Sequence, residues 1–170
     1  MRTKTSNQGG FSYIWTLLLI AGLSISTVLS AEISATAARR DKEKELLAIG
    51  RQFRTALARY LASSPNGKQP EYPESLEQLL RDDRLPGIRR HLRKIFIDPI
   101  TDKAEWGVIR INGRIVGIHS LSEQTPIKQD GFEPDSALFR GKQHYKEWVF
   151  TYPSDALILI ESEIPLGITP

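Results

Sequence analysis

The residues in this chain best suited to proton transfer or metal ligation are three histidines, His91, His119 and His144. None has a second histidine three or four residues away, and none sits in a glutamate-flanked zinc pattern, so a metal or acid–base site would need convergence of distant segments. His119, at the end of an expected strand, reads first as a structural or surface residue; a hydrolase would have to use His119 and His144. Serine, histidine and aspartate all occur, but without a nucleophile-elbow glycine pattern or a phosphate-binding glycine loop. The run Asp130-Gly131-Phe132-Glu133-Pro134-Asp135 gathers three carboxylates, and hard oxygen ligands of this kind suit calcium. Its spacing is not that of an EF-hand, and a solvated acidic loop is the simpler expectation for Asp130, Glu133 and Asp135. One basic segment stands out: Arg81, Arg84, Arg89, Arg90, Arg93 and Lys94 against Asp82 and Asp83. It is either a solvated face or, through Arg89, Arg90, Arg93 and Lys94, a surface that docks onto an acidic partner. No metal, no cofactor and no enzymatic activity are expected.

These residues must be held by elements that the pattern outlines. Residues 32–64 contain no proline, and Leu46, Ile49, Phe53, Leu57, Tyr60 and Leu61 recur at three- and four-residue steps, which is an amphipathic helix. Ser63-Ser64-Pro65-Asn66-Gly67 stops it. Residues 72–80 read as a short second helix with Pro73 near its start and Leu76, Leu79 and Leu80 on one face. Residues 105–111 and 114–119 are β-branched runs joined by Asn112-Gly113, the dipeptide that best suits a two-residue hairpin turn. Residues 147–152 supply a third strand, with Trp148, Phe150 and Tyr152 expected on one face and Val149 and Thr151 on the other. Residues 120–143 between them are polar and broken by Pro126 and Pro134, and read as a long surface loop where partner contacts would vary. The run 156–160 would add an edge strand or stay loose. The expected class is α+β, a long helix packed on a small antiparallel sheet of about three strands.

The chain has 170 residues, which suits one folded domain plus an appended segment. Hydrophobic residues at 40% and charged residues at 25% exclude a disordered chain and a multi-span membrane protein. The formal charge is +3, from 23 basic and 20 acidic side chains; Arg2 and Lys4 lie in the first ten residues, and without them 21 face 20. Nucleic-acid binding, which rests on neutralising phosphates, is therefore not expected. The absence of cysteine excludes disulfides, thiolate zinc sites and thiol nucleophiles.

The appended segment is amino-terminal. Residues 11–31, FSYIWTLLLIAGLSISTVLSA, carry no charge and follow the polar, basic leader MRTKTSNQGG. At about 1.5 Å per residue the run spans roughly 30 Å, the thickness of a bilayer core. Gly22, Ser26 and Ser30 recur at four-residue steps, a stripe along which another helix would approach closely. Ala35-Thr36-Ala37 offers a late site for ordinary signal cleavage.

A short basic leader ending in Gly10, then Phe11-Ser12-x-Ile14 and an apolar helix, resembles the class III signal of type IV pilins and type II secretion pseudopilins. The resemblance implies cleavage by the prepilin peptidase between Gly10 and Phe11, methylation of the new amino terminus and retention of the helix. It also implies a single-pass inner-membrane protein whose periplasmic pilin-like domain, residues 65–170, follows the amphipathic continuation 32–64. The implied partners are the peptidase, other pseudopilins or pilins, and an inner-membrane assembly platform. Most of the family carries glutamate five residues into the mature chain, where this sequence has Trp15. A subunit lacking that carboxylate fits the tip of a filament, or a member never packed into one. Tyr72-Pro73 before a leucine-bearing helix, and Asp98-Pro99 leading to Trp106-Gly107, also resemble pseudopilin segments. Major pseudopilins bind calcium in a carboxylate loop, but the 130–135 carboxylates do not align with it. The expected role is a non-catalytic minor pseudopilin-like subunit. The alternatives are a minor pilin of a type IV pilus or DNA-uptake system, and a soluble periplasmic binding domain released after Ala37.

Overall fold

The computed structural model describes residues 9–65, 69–87 and 89–156, and within the first helix the side chains of 13–21, 23 and 34 onward. The leader residues 1–8, the Asn66-Gly67 stop and the run 157–160 lie outside the described residues. The chain divides into two compact units, residues 1–39 and 40–170. Helix α1 comprises Gly9–Ala62.

In the first unit the residues from Tyr13 to Ala21, and Leu23, are all exposed. The backbone at Gly10, Phe11, Gly22, Ser26 and Ser30 is helical, while their side chains lie outside the described set. Among the described residues no helix is long and apolar enough to cross a membrane.

The second unit is built on the stripe that the spacing predicts. Leu46, Ile49, Phe53, Leu57 and Tyr60 are buried along one side of α1, joined by Ala56, while Leu61 is only half-buried. Gly50 lies on the same face because a Cβ there would overlap the Phe150 ring. The helix closes on a tightened turn, with Ser63 N donating to Arg59 O at 3.0 Å and Ser64 N to Leu61 O at 3.2 Å.

Three antiparallel strands stand in the order β1-β2-β3: β1 Gly107–Ile111, β2 Arg114–His119 and β3 Val149–Thr151. Asn112 and Gly113 take φ of 50° and 78°, the left-handed pair of a type I′ turn. Register slips between Ile109, which faces Gly117, and Arg110, which faces Ile115, leaving Val116 as the extra residue of a bulge in β2. Ile118 on β2 and Phe150 on β3 close over the α1 stripe in a single core with Trp106, Phe139, Tyr145 and Trp148. The class is therefore α+β with a small three-stranded antiparallel sheet.

Three expectations need correction. The second helix is one turn, α2 Glu77–Leu80, not 72–80. The preceding carbonyls are already committed to the sheet side: Ile115 N donates to Pro73 O, Arg114 to Tyr72 O and Arg110 to Glu74 O, which keeps 72–74 out of a helix. In β3 the alternation fails at its end, because Thr151 is buried whereas Tyr152 is exposed; the Tyr152 backbone is held on both sides, its N donating to Val116 O and its O accepting from the Tyr72 hydroxyl.

The segment 120–143 is not simply a surface loop. It carries a 3-10 helix, Pro134–Phe139, and inserts Phe139 into the core, stacked on Trp148 with ring centroids 5.5 Å apart and edge-on to Phe150 at 5.0 Å. Phe132 adds a second edge, 5.3 Å from Trp148. The buried Glu43 of α1 holds the segment's middle, accepting from Ile127 N, Lys128 N and the Tyr145 hydroxyl. Buried polar atoms have to be satisfied, and here one carboxylate does so for three donors.

Candidate functional site

The basic segment 81–94 is tied to the carboxyl-terminal end of α1 by a compact polar clamp. Asp82 is fully buried and accepts from the Arg84 guanidinium at 2.8 and 2.9 Å; His91 Nε2 lies 3.0 Å away. Arg84 donates onward to Tyr60 O at 2.7 Å, and its guanidinium carbon lies over the Tyr60 ring, 3.5 Å from its centroid. The backbone closes the same loop: Asp82 N donates to Arg89 O, and His91 N and Leu92 N both donate to Leu79 O, each at 2.9 Å. Leu92 is then seated in the core.

This arrangement sets the electrostatics. The Arg84 hydrogen bonds, reinforced by His91, hold the Asp82 carboxyl well below the usual carboxylate range despite its burial. The same bonds push the Arg84 guanidinium up. Burial raises the Tyr60 phenol.

Ser63, His91 and Asp82 meet here, yet the geometry is that of a lock. A serine nucleophile is activated when serine and carboxylate sit on opposite nitrogens of the imidazole. Here Ser63 Oγ, at 3.5 Å, and Asp82 Oδ2, at 3.0 Å, both address Nε2, and Ser63 also donates to Asp82 at 3.4 Å. His119 Nδ1 faces Ser120 O and His144 Nδ1 faces Glu123 O, so each histidine serves a separate local partner.

With the clamp in place, Arg89, Arg90 and Arg93 are exposed, and Arg59 of α1 joins them. Two adjoining hollows open between α1 and this loop and share Arg59 and His91. One, about 390 Å³, runs from Ala48 and Arg51 to Arg93. The other, about 520 Å³, continues past Ala62 to Arg89 and Arg90. Lys94 differs from its expected companions: its ammonium lies over the Phe96 ring at 5.4 Å and does not line either hollow. Arg59 was not singled out from sequence, although Arg51, Thr55 and Arg59 follow one another at four-residue steps and so share a helix face.

The acidic run 130–135 is organised differently. Asp130 pairs with Arg140 at 2.7 Å, Glu133 with Arg51 at 2.7 Å and Asp135 with Arg54 at 3.2 Å. The three carboxylates thus diverge onto three arginines, and among the described residues no group of three or more metal-ligating side chains comes together. Arg54 is buried against the Phe139 and Phe150 rings, and that burial lowers its pKa.

No family model, no curated protein and no solved structure matches the chain.

Proposed function

We propose that the chain is a minor pseudopilin-like subunit of a type II secretion or related pilus-like machine, a non-catalytic assembly component with a pilin-like fold. It is held in the bacterial inner membrane by residues 11–31, with the folded unit in the periplasm. The observation that carries this reading is the junction Gly10-Phe11 in the first turn of a helix whose side chains from Tyr13 to Ile20, apolar except at Thr16, are exposed one after another. A helix apolar on every side needs a cover of lipid or of other helices. The resemblance at Gly10-Phe11 supplies both, first the bilayer and then a bundle of neighbouring subunits.

On this reading the prepilin peptidase removes the leader and leaves Phe11 as the methylated amino terminus. The stripe Gly22, Ser26 and Ser30 offers close approach to another helix. Trp15 brings no carboxylate to pair with a neighbour's amino terminus, which favours a place at the top of a filament, where no subunit stands above. The work of extraction comes from the assembly platform, because this sequence carries no nucleotide-binding loop.

The test is the intact mass and amino-terminal peptide of the protein purified from membranes of cells that contain a prepilin peptidase. A methylated chain beginning at Phe11 is the expected result. A chain beginning at Ala38, or one retaining Met1, overturns the proposal.

A further inference from the structure

Half of the twelve arginines of the folded unit are matched by carboxylates. Arg51 pairs with Glu133, Arg54 with Asp135, Arg81 with Asp83, Arg84 with Asp82, Arg114 with Glu71 and Arg140 with Asp130. Among the described residues Arg40, Arg59, Arg89, Arg90, Arg93 and Arg110 have no such partner; Arg110 donates to the Glu74 and Gly113 carbonyls, Arg40 stands apart, and the other four line the two adjoining hollows. Like charges brought together on one surface are unfavourable, so a cluster held in place by a buried clamp calls for an anion from outside.

The geometry points to an extended acidic peptide segment of a partner protein as the occupant of this groove. Its length is the first reason. The lining residues on α1 run from Ala48 to Ala62, about 21 Å at the rise of a helix. That matches roughly six residues of extended chain at about 3.3 Å each, whereas a single small anion would leave most of the groove empty. The second reason is the groove's own rim. Arg51, at one end, already holds the carboxylate of Glu133 at 2.7 Å, so an acidic side chain has docked on this edge from within the chain. The third is that outside the leader the charges nearly balance; the attraction is local to the groove and does not extend over the surface that a nucleic-acid backbone would need. Arginine's planar fork then suits the carboxylates of such a segment.

This inference deepens the reading of the 89–94 segment as a docking surface by adding Arg59, setting Lys94 aside and naming the ligand class. It does not depend on amino-terminal processing. A failed mass measurement leaves it standing, and a failed titration leaves the processing result standing.

The experiment uses the full chain in detergent micelles at low ionic strength. A fluorescein-labelled hexapeptide of alternating glutamate and alanine is titrated and followed by anisotropy. Saturable binding is expected, weakened about tenfold in the double variant Arg59→Glu/Arg93→Glu, the equivalent of losing and reversing two partly exposed ion pairs. Arg140→Glu, outside the groove, should change it less than about twofold. The corresponding lysine–alanine peptide should not bind. If the double variant fails to fold by circular dichroism, the single variants Arg59→Gln and Arg93→Gln replace it, each expected to weaken binding about threefold. No binding to the unaltered chain overturns the proposal, as does equal binding to the groove variants. So does more effective competition by inorganic phosphate or by a hexanucleotide than by unlabelled acidic peptide.

Discussion

Segments 81–94 and 120–143 both return to α1 and both bring charge to it, with opposite outcomes. The second brings carboxylates to Arg51 and Arg54 of the helix, buries Phe139 and partly buries Phe132, and its acidic run is matched by arginines of the molecule itself. The first buries one carboxylate, Asp82, spends it on Arg84 and His91, and leaves Arg89, Arg90 and Arg93 facing Arg59 across an open groove. One segment completes the fold with its charges, while the other uses a buried carboxylate to hold a surface of unmatched positive charge. A region of the first kind satisfies its own charges; a region of the second kind is where a partner is to be sought.

The comparison predicts that the two segments fail differently. Phe139→Ala removes a ring that stacks on Trp148 and meets Phe150 and Phe132 edge-on, and should cost about 3–5 kcal/mol, as large-to-small changes in aromatic cores do. Chemical denaturation followed by tryptophan fluorescence measures it, and the loss should be almost independent of pH between about 4 and 8, since no titrating group is removed. A loss below about 1 kcal/mol would mean that 120–143 is the surface loop its composition suggests.

Asp82→Asn should have a smaller effect, about 1–3 kcal/mol at neutral pH, from weakened bonds to Arg84 and His91. Its signature is in acid. The folded-state pKa of Asp82 is depressed, so its contribution is fully present above the ordinary carboxyl value of about 4 and is lost as pH falls through the folded-state value. The unaltered chain and the variant should therefore differ most near pH 7 and converge as the solution is acidified. A gap that widens in acid would contradict the clamp.

How much of this was legible in sequence follows from how far apart the cooperating residues lie. The stripe from Leu46 to Tyr60 and the hairpin at Asn112-Gly113 are local signals, set by helical period and by one turn dipeptide, and both elements form where expected. Phe132 and Phe139 were invisible as core because each stands alone among polar residues, without period; what buries them is Trp148, which arrives from another segment. The clamp was hidden for the same reason, since Tyr60 belongs to α1 and Asp82, Arg84 and His91 to a later segment that only the fold brings against it. The basic segment was legible as a run of charge, but its division was not: Arg84 turns inward, Lys94 covers Phe96, and Arg59 joins from the helix.

The smallest effect sharpens the comparison most. Glu133→Gln converts a matched arginine into an unmatched one, because Arg51 lies on the rim shared by the acidic loop and the basic groove. Both partners are substantially exposed, so stability should fall by no more than about 1 kcal/mol, the usual ceiling for a surface ion pair. The freed guanidinium should then answer to the groove. Affinity for the acidic hexapeptide is expected to rise about two- to threefold, and the rise should disappear when Arg51→Gln is added to Glu133→Gln. An unchanged affinity would place Arg51 outside the binding surface and shorten the groove to its Arg59–Arg90 end. A tighter complex would show that the difference between the two segments lies only in which arginines the chain has supplied with carboxylates of its own.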